Sequence, residues 1–184
     1  MNKELSVLVV DNGSPYTKDI TLCLENIGQN YVLKKYDEGF LISNHEKVIL
    51  SGRQKNKKQI NAMNSKIIRF CFNNETPLLG ICYGAEIIAL TFGGSIHKTD
   101  HIQGLNRINI EKPTKLLKEP YCNVYESHSY NISHLPENFV CVASSSSSKH
   151  EIFCHNSKSI FGTQFHPEKS GRCGLELIRN FVNL

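Results

Sequence analysis

Short apolar segments without alternating polar residues recur in the first half of the chain, and each ends at polar or glycine residues. They occupy residues 6–10, 47–50 and 77–81. Such runs are typical of strands that are buried on both faces, as in parallel sheets. Residues 16–27 and 59–73 instead have the spacing of amphipathic helices. Strands that alternate with helices predict an α/β fold with a mainly parallel central sheet flanked by helices.

The middle of the chain, residues 94–161, has shorter apolar pieces separated by turn residues, and we expect an antiparallel β extension of the sheet there. The predicted strands of this extension are residues 107–110, 123–126, 139–143, 151–154 and 159–163. The serine run at 144–148 predicts a flexible surface turn. Residues 174–184 have helical spacing and are expected to close the core. Because neither a repeat nor a linker interrupts the pattern, residues 1–184 are predicted to form a single domain.

Composition narrows the class of protein. The chain has 184 residues, of which 40% are hydrophobic and 21% charged, as in a soluble globular protein. Its net charge of +4 comes from Lys and Arg spread along the whole sequence, so no nucleic-acid partner is expected. A membrane span needs about 20 consecutive apolar residues, and a secretory signal needs a longer apolar core than this N-terminus offers. We therefore predict a cytoplasmic protein without membrane contact.

The cysteines give no sign of a metal site. Seven are present, and no two of them form a Cys-x-x-Cys pair. Zinc sites and disulfide frameworks usually show tighter spacing. In a reducing compartment we expect most of these residues to be buried free thiols.

The strongest local motif is a cysteine between two glycines. Gly80, Cys82 and Gly84 follow a predicted buried strand and lead into a predicted helix at 85–92. A nucleophile flanked by glycines two positions away, at a strand-to-helix turn, is the pattern of a nucleophile elbow. The turn is so sharp that neighbouring residues must be small, and the helix N-terminus favours a thiolate. We therefore predict that Cys82 is a catalytic nucleophile.

A second motif supplies a base for this nucleophile. His166 and Glu168 stand two positions apart, just after the predicted strand at 159–163. In extended backbone such side chains face the same side, so the carboxylate can orient the imidazole. Pro167 stiffens the segment between them. Together with Cys82, the pair completes a Cys-His-Glu triad by residue type and order along the chain.

These motifs resemble those of the class I glutamine amidotransferases, and the resemblance covers nearly the whole chain. Residues 80–84 resemble the nucleophile elbow of the family, residues 162–168 its G-x-Q-F-H-P-E segment, and residues 50–52 part of its L-S-G-G-P loop. The turn at 11–17 is similar to the opening of the amidotransferase part of GMP synthetase. The resemblance implies the flavodoxin-like fold of the family, and the member it favours is the amidotransferase subunit of a two-subunit GMP synthetase.

The resemblance also implies a reaction. Cys82 would attack the carboxamide of L-glutamine to give a γ-glutamyl thioester, His166 would move the protons, and Glu168 would stabilise the imidazolium. Backbone N–H groups of Tyr83 and Arg53 would bind the oxyanion. Ammonia would pass to a separate synthetase, expected to be the ATP-dependent subunit of GMP synthetase. Neither a metal nor an organic cofactor is implied.

Four residues are candidates for binding the substrate: Gly52, Glu86, Ser129 and Tyr130. Glu86 stands where the family usually has glutamine, and its carboxylate could bind the substrate's ammonium group or weaken binding of its carboxylate. Ser129 and Tyr130 follow His128, in a region where related carbamoyl-phosphate synthetase subunits hold glutamine with backbone groups. His128 itself could equally be a structural histidine in a turn.

The loop after the second buried strand departs from the family pattern. Arg53 and Gln54 stand where the family has glycine and proline. Arginine keeps the backbone N–H but does not readily adopt positive φ. The oxyanion site could therefore form only when a partner docks, or the loop could take another shape.

Other functions stay open at this point. A stand-alone amidase or γ-glutamyl hydrolase would use the same triad, with Arg53 and Glu86 marking altered substrate recognition. Anthranilate and aminodeoxychorismate synthase subunits also share the triad, although the opening motif favours GMP synthetase. A non-enzymatic regulatory subunit would not need all three triad groups. A redox sensor centred on Cys82 lacks an evident resolving cysteine.

Overall fold

A computed structural model describes residues 6–55 and 57–184, and its framework is a nine-stranded sheet within those ranges. The strands are β1 (Val7–Asp11), β2 (Tyr31–Lys35), β3 (Lys47–Leu50), β4 (Leu78–Ile81), β5 (Ser95–Ile110), β6 (Tyr121–His134), β7 (Phe139–Ser144), β8 (Ile152–His155) and β9 (Ile160–Thr163). The helices are α1 (Thr17–Asn26), α2 (Lys58–Asn73), α3 (Tyr83–Thr91) and α4 (Gly171–Val182), with 3-10 turns at Ile42–Asn44 and Pro167–Lys169. Within these described ranges, no helix is long and apolar enough to span a membrane.

Two kinds of strand pairing divide the sheet, whose order is β2-β1-β3-β4-β9-β8-β7-β5-β6. The five strands from β2 to β9 in this order pair in parallel. From β9 onward to β6, every pairing is antiparallel. The predicted fold, a mainly parallel central sheet with helices and an antiparallel extension, is confirmed.

Helices cover both faces of the inner parallel strands β1, β3 and β4, which explains their continuous apolar sequences. Successive strand side chains point to opposite faces of a sheet. Val9 accordingly belongs to the apolar cluster that includes side chains of α1 and α4. Its neighbour Leu8 belongs to the second cluster, with side chains of α2 and α3. Between Val7 and Val10, neither face of β1 is left for polar residues.

The ribbon formed by β5 and β6 is much longer than predicted. The sequence predicted strands only at 107–110 and 123–126, whereas β5 has 16 residues and β6 has 14. The two strands pair along most of their length, with a register shift between Lys98 and Ile102. Most side chains in the first half of β5 are exposed or half-buried. Backbone hydrogen bonds rather than an apolar face hold this part, so no hydrophobic pattern marks it.

The serine run at 144–148 connects β7 to β8, but it is anchored to buried groups instead of lying free on the surface as predicted. Ser145 Oγ donates a hydrogen bond to Glu151 Oε1 (2.6 Å), and Ser147 Oγ donates to Glu126 (3.0 Å). Both carboxyl groups belong to fully buried residues. The sequence could not show this contact because Glu126 lies on β6, far from the run along the chain.

One cysteine pair departs from the expectation of free thiols. Cys122 on β6 and Cys173 on α4 form a disulfide, with their Cα atoms 6.4 Å apart. They are 51 positions apart in the sequence, so their spacing gives no signal, and only the packing of α4 on the ribbon brings them together. The other five cysteines are free, as expected, although Cys23, Cys141 and Cys154 are only partly buried.

The free energy of unfolding should depend on pH through the buried carboxyl groups of Glu126 and Glu151. Burial and the neighbouring Glu126 raise the pKa of Glu151 to about 8 from an ordinary value of 4.5. The folded state therefore favours the protonated form, and this contribution to stability is complete below pH 4.5 and is lost as the pH rises through about 8. Glu151→Gln should remove most of the resulting fall in the free energy of unfolding, measured by urea titration between about pH 5 and about pH 8.

The exposed Glu137→Gln is the matched control, and it should keep the pH dependence of the wild type. If Glu151→Gln and the wild type lose stability in parallel over this range, Glu151 is ionised in the folded protein and the assignment is wrong.

Helix α4 packs closely on the 3-10 turn at Gly174. A Cβ atom at Gly174 would overlap the carbonyl oxygen of Pro167. Gly174→Ala should therefore destabilise the protein by about 1–3 kcal/mol in urea unfolding, although alanine is the better helix former. Gly39→Ala is the control, because Gly39 is exposed with nothing within 4 Å of its Cβ position. Equal stability of the two variants would contradict the close approach.

Candidate active site

Cys82 lies at the sharp turn between β4 and α3, as the elbow motif predicted. It is the N-cap of α3 and has φ 51° and ψ −108°. Residues other than glycine rarely adopt this backbone conformation. The backbone leaves no room beside it, because a Cβ at Gly84 would lie 2.5 Å from the Leu50 carbonyl oxygen and one at Gly80 would overlap Gly84. The Cys82 N–H donates to the Thr163 carbonyl at 2.7 Å. Glycine at both flanking positions is therefore a steric requirement.

His166 is fixed by its backbone next to β6. Its N–H donates to the Tyr125 carbonyl at 2.8 Å, and its own carbonyl accepts from Ser170 Oγ at 2.6 Å. The same hydroxyl accepts from the Tyr125 N–H at 2.9 Å. Ser170 thus ties the candidate base to the ribbon from both sides.

The predicted contact between His166 and Glu168 is present, but its geometric reason is different. The two side chains meet at 2.8 Å between Nδ1 and Oε1. We expected an extended segment, whereas strand β9 already ends at Thr163 and Glu168 lies in the 3-10 turn Pro167–Lys169. The turn folds the carboxylate back onto the imidazole. Because this hydrogen bond occupies Nδ1, it leaves Nε2 for the thiol.

Cys82, His166 and Glu168 are electrostatically linked. Burial raises the pKa of the Cys82 thiol, while hydrogen bonding to His166 and to the Tyr83 N–H acts in the opposite direction. Burial also works against a positive charge on His166, but the interactions with Cys82 and Glu168 outweigh it and raise the pKa of His166 well above its usual range. The structure therefore places an imidazole that readily binds a proton next to the thiol.

A cavity of about 490 Å³ opens onto the thiol. Its walls include the candidate nucleophile and base together with most of the residues predicted to bind substrate. The lining residues include Tyr16, Arg53, Cys82, Glu86, Ser129, Tyr130 and His166. A substrate in this space would touch several chain segments that are far apart in the sequence.

The loop after β3 runs directly against the catalytic candidates. A Cβ at Gly52 would lie 3.2 Å from the His166 ring and 3.7 Å from Cys82 Cβ, so the next residue is close to the thiol. Arg53 avoids positive φ, since the described non-glycine residues with positive φ are elsewhere in the chain. The Arg53 backbone therefore does not adopt the unusual conformation of the family glycine, as both alternatives for this loop require. The Arg53 guanidinium donates to Asn61 Oδ1 (2.7 Å) and stacks 3.8 Å from the centre of the Tyr83 ring.

Glu86 is nine-tenths buried in the wall of the cavity, one helical turn beyond the nucleophile. Its backbone N–H donates to the Cys82 carbonyl at 3.0 Å, which places both side chains on the same face of α3. Burial raises the pKa of Glu86, and the positive charge of Arg53 acts against this shift. Glu86 thus lies where a substrate held at the thiol would extend.

Ser129 and Tyr130 reach the cavity from the ribbon, not from a turn. Both lie on β6, and Ser129 Oγ is 3.1 Å from His101 Nδ1 on β5. His128, which the sequence left open as a turn histidine, is a buried strand residue whose Nε2 contacts Glu126 Oε2 at 2.8 Å. The ribbon is therefore a wall of the site.

No metal centre accompanies these groups in the described part of the chain. Across residues 6–55 and 57–184, no three His, Cys, Asp or Glu side chains form a cluster that could hold a metal ion.

Comparison with known proteins decides the family. A family model described as glutamine amidotransferase class-I matches residues 8–184. The chain belongs to the class I glutamine amidotransferases. Membership in this family implies glutamine amidohydrolase activity.

Relatives of this amidotransferase are named GMP synthase. The GMP synthase (glutamine-hydrolyzing) of Petrotoga mobilis is 32% identical over 96% of the chain, and the chain spans only 35% of its length. In Thermoplasma acidophilum, a relative described as one subunit of GMP synthase (glutamine-hydrolyzing) is 29% identical over 98% of the chain, which spans 92% of that protein. The chain thus covers about a third of one kind of relative and nearly all of the other.

Solved structures agree on the fold of the amidotransferase. A crystal structure from Thermoplasma acidophilum, described as a candidate GMP synthase subunit, has a TM-score of 0.84 and 28% identity, covering 100% of this chain and 94% of that one. PurLQS from Thermotoga maritima has a TM-score of 0.80 at 17% identity, covering 97% of this chain and 98% of that chain, and shows likeness of fold alone.

Two residues at the candidate site were missed from the sequence, Tyr16 and Ser127. The Tyr16 ring packs edge-on against His166, with ring centres 4.8 Å apart. The Ser127 carbonyl oxygen lies 3.9 Å from Cys82 Sγ. Tyr16 stands in the turn whose resemblance to GMP synthetase was noted, so that motif could have pointed to it. Ser127 acts through its backbone, which leaves no side-chain signal.

The electrostatic link predicts how the thiol reacts. Glu168→Gln removes the charge that helps to raise the pKa of His166, so less Cys82 is present as thiolate. The rate at which iodoacetamide alkylates Cys82 at about pH 7 is followed by peptide mass spectrometry. In Glu168→Gln this rate should fall by about tenfold or more, the effect expected for the loss of one charged hydrogen bond. The exposed Glu137→Gln should leave the rate unchanged. Equal rates for Glu168→Gln and the wild type would exclude the link.

Proposed function

We propose that this protein is the glutaminase part of a glutamine amidotransferase that hydrolyses L-glutamine through a cysteinyl thioester and passes the ammonia to a separate synthetase, the ATP-dependent subunit of GMP synthetase. One observation carries the proposal: Cys82 and His166 line the same open cavity and interact electrostatically, and Glu168 holds the imidazole through Nδ1. The similarity to the GMP synthase subunit of Thermoplasma acidophilum supports the choice of partner.

The first half of the reaction uses the triad. His166 Nε2 accepts the thiol proton as Sγ attacks the carboxamide carbon of glutamine. The tetrahedral intermediate collapses when the imidazolium returns that proton to the leaving nitrogen, which departs as ammonia and leaves a γ-glutamyl thioester. Glu168 stabilises the imidazolium between these two steps.

The second half releases glutamate. His166 takes a proton from a water molecule as the water oxygen attacks the thioester carbon, and it then protonates the departing Cys82 sulfur. The two half-reactions therefore use the same three side chains, and neither requires a cofactor.

Backbone N–H groups would hold the negative charge on the substrate oxygen. The Tyr83 N–H is in the first turn of α3, where no carbonyl of the helix can accept from it, and it contacts the Cys82 sulfur. The Arg53 N–H is the second candidate because Gly52, just before it, lies against His166 and Cys82. Loss of one such donor typically costs roughly 3–4 kcal/mol of barrier.

A different amide substrate is the second candidate function. The charged side chains Arg53 and Glu86 both line the cavity, and such charges could serve a stand-alone amidase or γ-glutamyl hydrolase. That enzyme would act without a partner and would prefer another amide over glutamine.

The test combines labelling with turnover. The protein is treated with 6-diazo-5-oxo-L-norleucine, a glutamine-like electrophile, and the modified peptide is located by mass spectrometry. Ammonia release from glutamine is assayed in parallel, with and without the ATP-dependent subunit of a GMP synthetase. We expect label on Cys82 alone and ammonia release that requires Cys82, with GMP formed from xanthosine monophosphate when ATP and the synthetase are present.

Cys82→Ala is the control for both readouts, and Cys71→Ala, at a buried free cysteine outside the cavity, is the matched variant that should behave as the wild type. Labelling on other cysteines at the same rate would overturn the glutaminase. Faster turnover of another amide without any partner would instead favour the stand-alone amidase.

A further inference from the structure

Two opposite charges face the same cavity as the thiol, and neither belongs to the triad. Arg53 enters from the loop after β3, and Glu86 enters from α3. They occupy the two positions at which this chain departs from the glycine and glutamine usual in its family. Glu86 is buried, and a buried charge is costly unless it is paired or hydrogen-bonded, so its presence in the cavity wall needs a physical reason.

The position of Glu86 matches the length of the substrate. It lies one turn along α3 from Cys82, a rise of about 5.4 Å. This is comparable to the two-methylene chain between the reacting carboxamide of glutamine and its α-carbon. A substrate with its amide at the sulfur would therefore bring its α-carbon substituents near the Glu86 carboxyl group.

Arg53 is held in place by neutral partners. Its guanidinium donates to Asn61 Oδ1 and lies over the Tyr83 ring, and the Tyr83 hydroxyl donates to the same Asn61 oxygen at 3.0 Å. None of these contacts neutralises its charge. Arg53 also lines the cavity.

The two charges act on each other without touching. Arg53 stabilises the ionised form of Glu86 through space, but the ion pairs found among the described residues do not include one between them. His128 and His166 also stabilise the ionised form of Glu86 through space, and the buried Gln164 side chain lies beside it. A gap between opposite charges that line the same cavity is suited to a small dipolar ligand.

We propose that Arg53 and Glu86 form a clamp for the zwitterionic end of a free amino acid, with Arg53 binding the α-carboxylate and Glu86 the α-ammonium group. The inference rests on the proposed glutaminase function and adds its specificity. The site accepts free L-glutamine and excludes amides that lack either charge, including glutamine residues within a peptide. Each departure from the family pattern compensates for the charge of the other.

The experiment measures how ligands protect Cys82 from iodoacetamide, a reagent with no charge for the clamp to act on. The ligands are L-glutamine, glutaramate, which lacks the α-ammonium group, and 4-aminobutanamide, which lacks the α-carboxylate. The wild type should be half-protected by glutamine at a concentration about tenfold or more below either analogue. Glu86→Gln should weaken glutamine by about 10- to 100-fold and leave glutaramate within about threefold. Arg53→Gln should weaken glutamine similarly and leave 4-aminobutanamide nearly unchanged.

Lys55→Gln is the matched control, because Lys55 is an exposed cation in the same loop outside the cavity. The alkylation rate without ligand shows that each variant keeps an intact thiol site. If Glu86→Gln and Arg53→Gln weaken all three ligands equally, or leave glutamine unchanged, the clamp is wrong. If 6-diazo-5-oxo-L-norleucine labels Cys82 of the wild type but these ligand preferences are absent, the proposed glutaminase function is retained and only the clamp is wrong. Failure of that labelling would overturn both.

Discussion

The site depends on one strained residue. Cys82 holds φ 51°, a conformation that costs about 1–3 kcal/mol and persists only where the surroundings enforce it. The close contacts at Gly80 and Gly84 and the hydrogen bond to Thr163 enforce it from three directions. Strand β4 and helix α3 could not meet so closely otherwise. The stability of the central sheet is what keeps the thiol at a helix N-terminus and open to the cavity.

The antiparallel extension supplies the other half of the site. The Tyr125 N–H and carbonyl on β6 both engage the segment after β9, directly at His166 or through Ser170. The parallel sheet therefore orients the thiol, whereas the ribbon orients the imidazole. A wall of the substrate cavity comes from the same ribbon. Displacement of β6 would change base and substrate contacts together, so the ribbon cannot be treated as an appendage of the fold.

The features that the sequence predicted correctly depend on residues that are close together along the chain. The strands β1, β3 and β4 were placed within one residue because burial on both faces leaves an unbroken apolar run. The spacing of Gly80, Cys82 and Gly84 predicted the elbow because its steric requirement is local. Three contacts were beyond this reasoning: Ser147 with Glu126, Cys122 with Cys173, and Gly52 against His166. Each joins residues that are distant along the chain and have no shared periodicity. The first half of β5 was missed because its exposed polar side chains do not alternate.

The disulfide has a practical consequence for handling this protein. Cys122 lies three positions before Tyr125 on β6, and Cys173 three positions after Ser170, so the bond closes a ring of chain around the segment that holds His166. A reductant added to keep Cys82 in its thiol form acts on this bond as well. Preparations made with and without reductant are thus different covalent species, and kinetic comparisons between laboratories require that the thiol content of the sample be counted first.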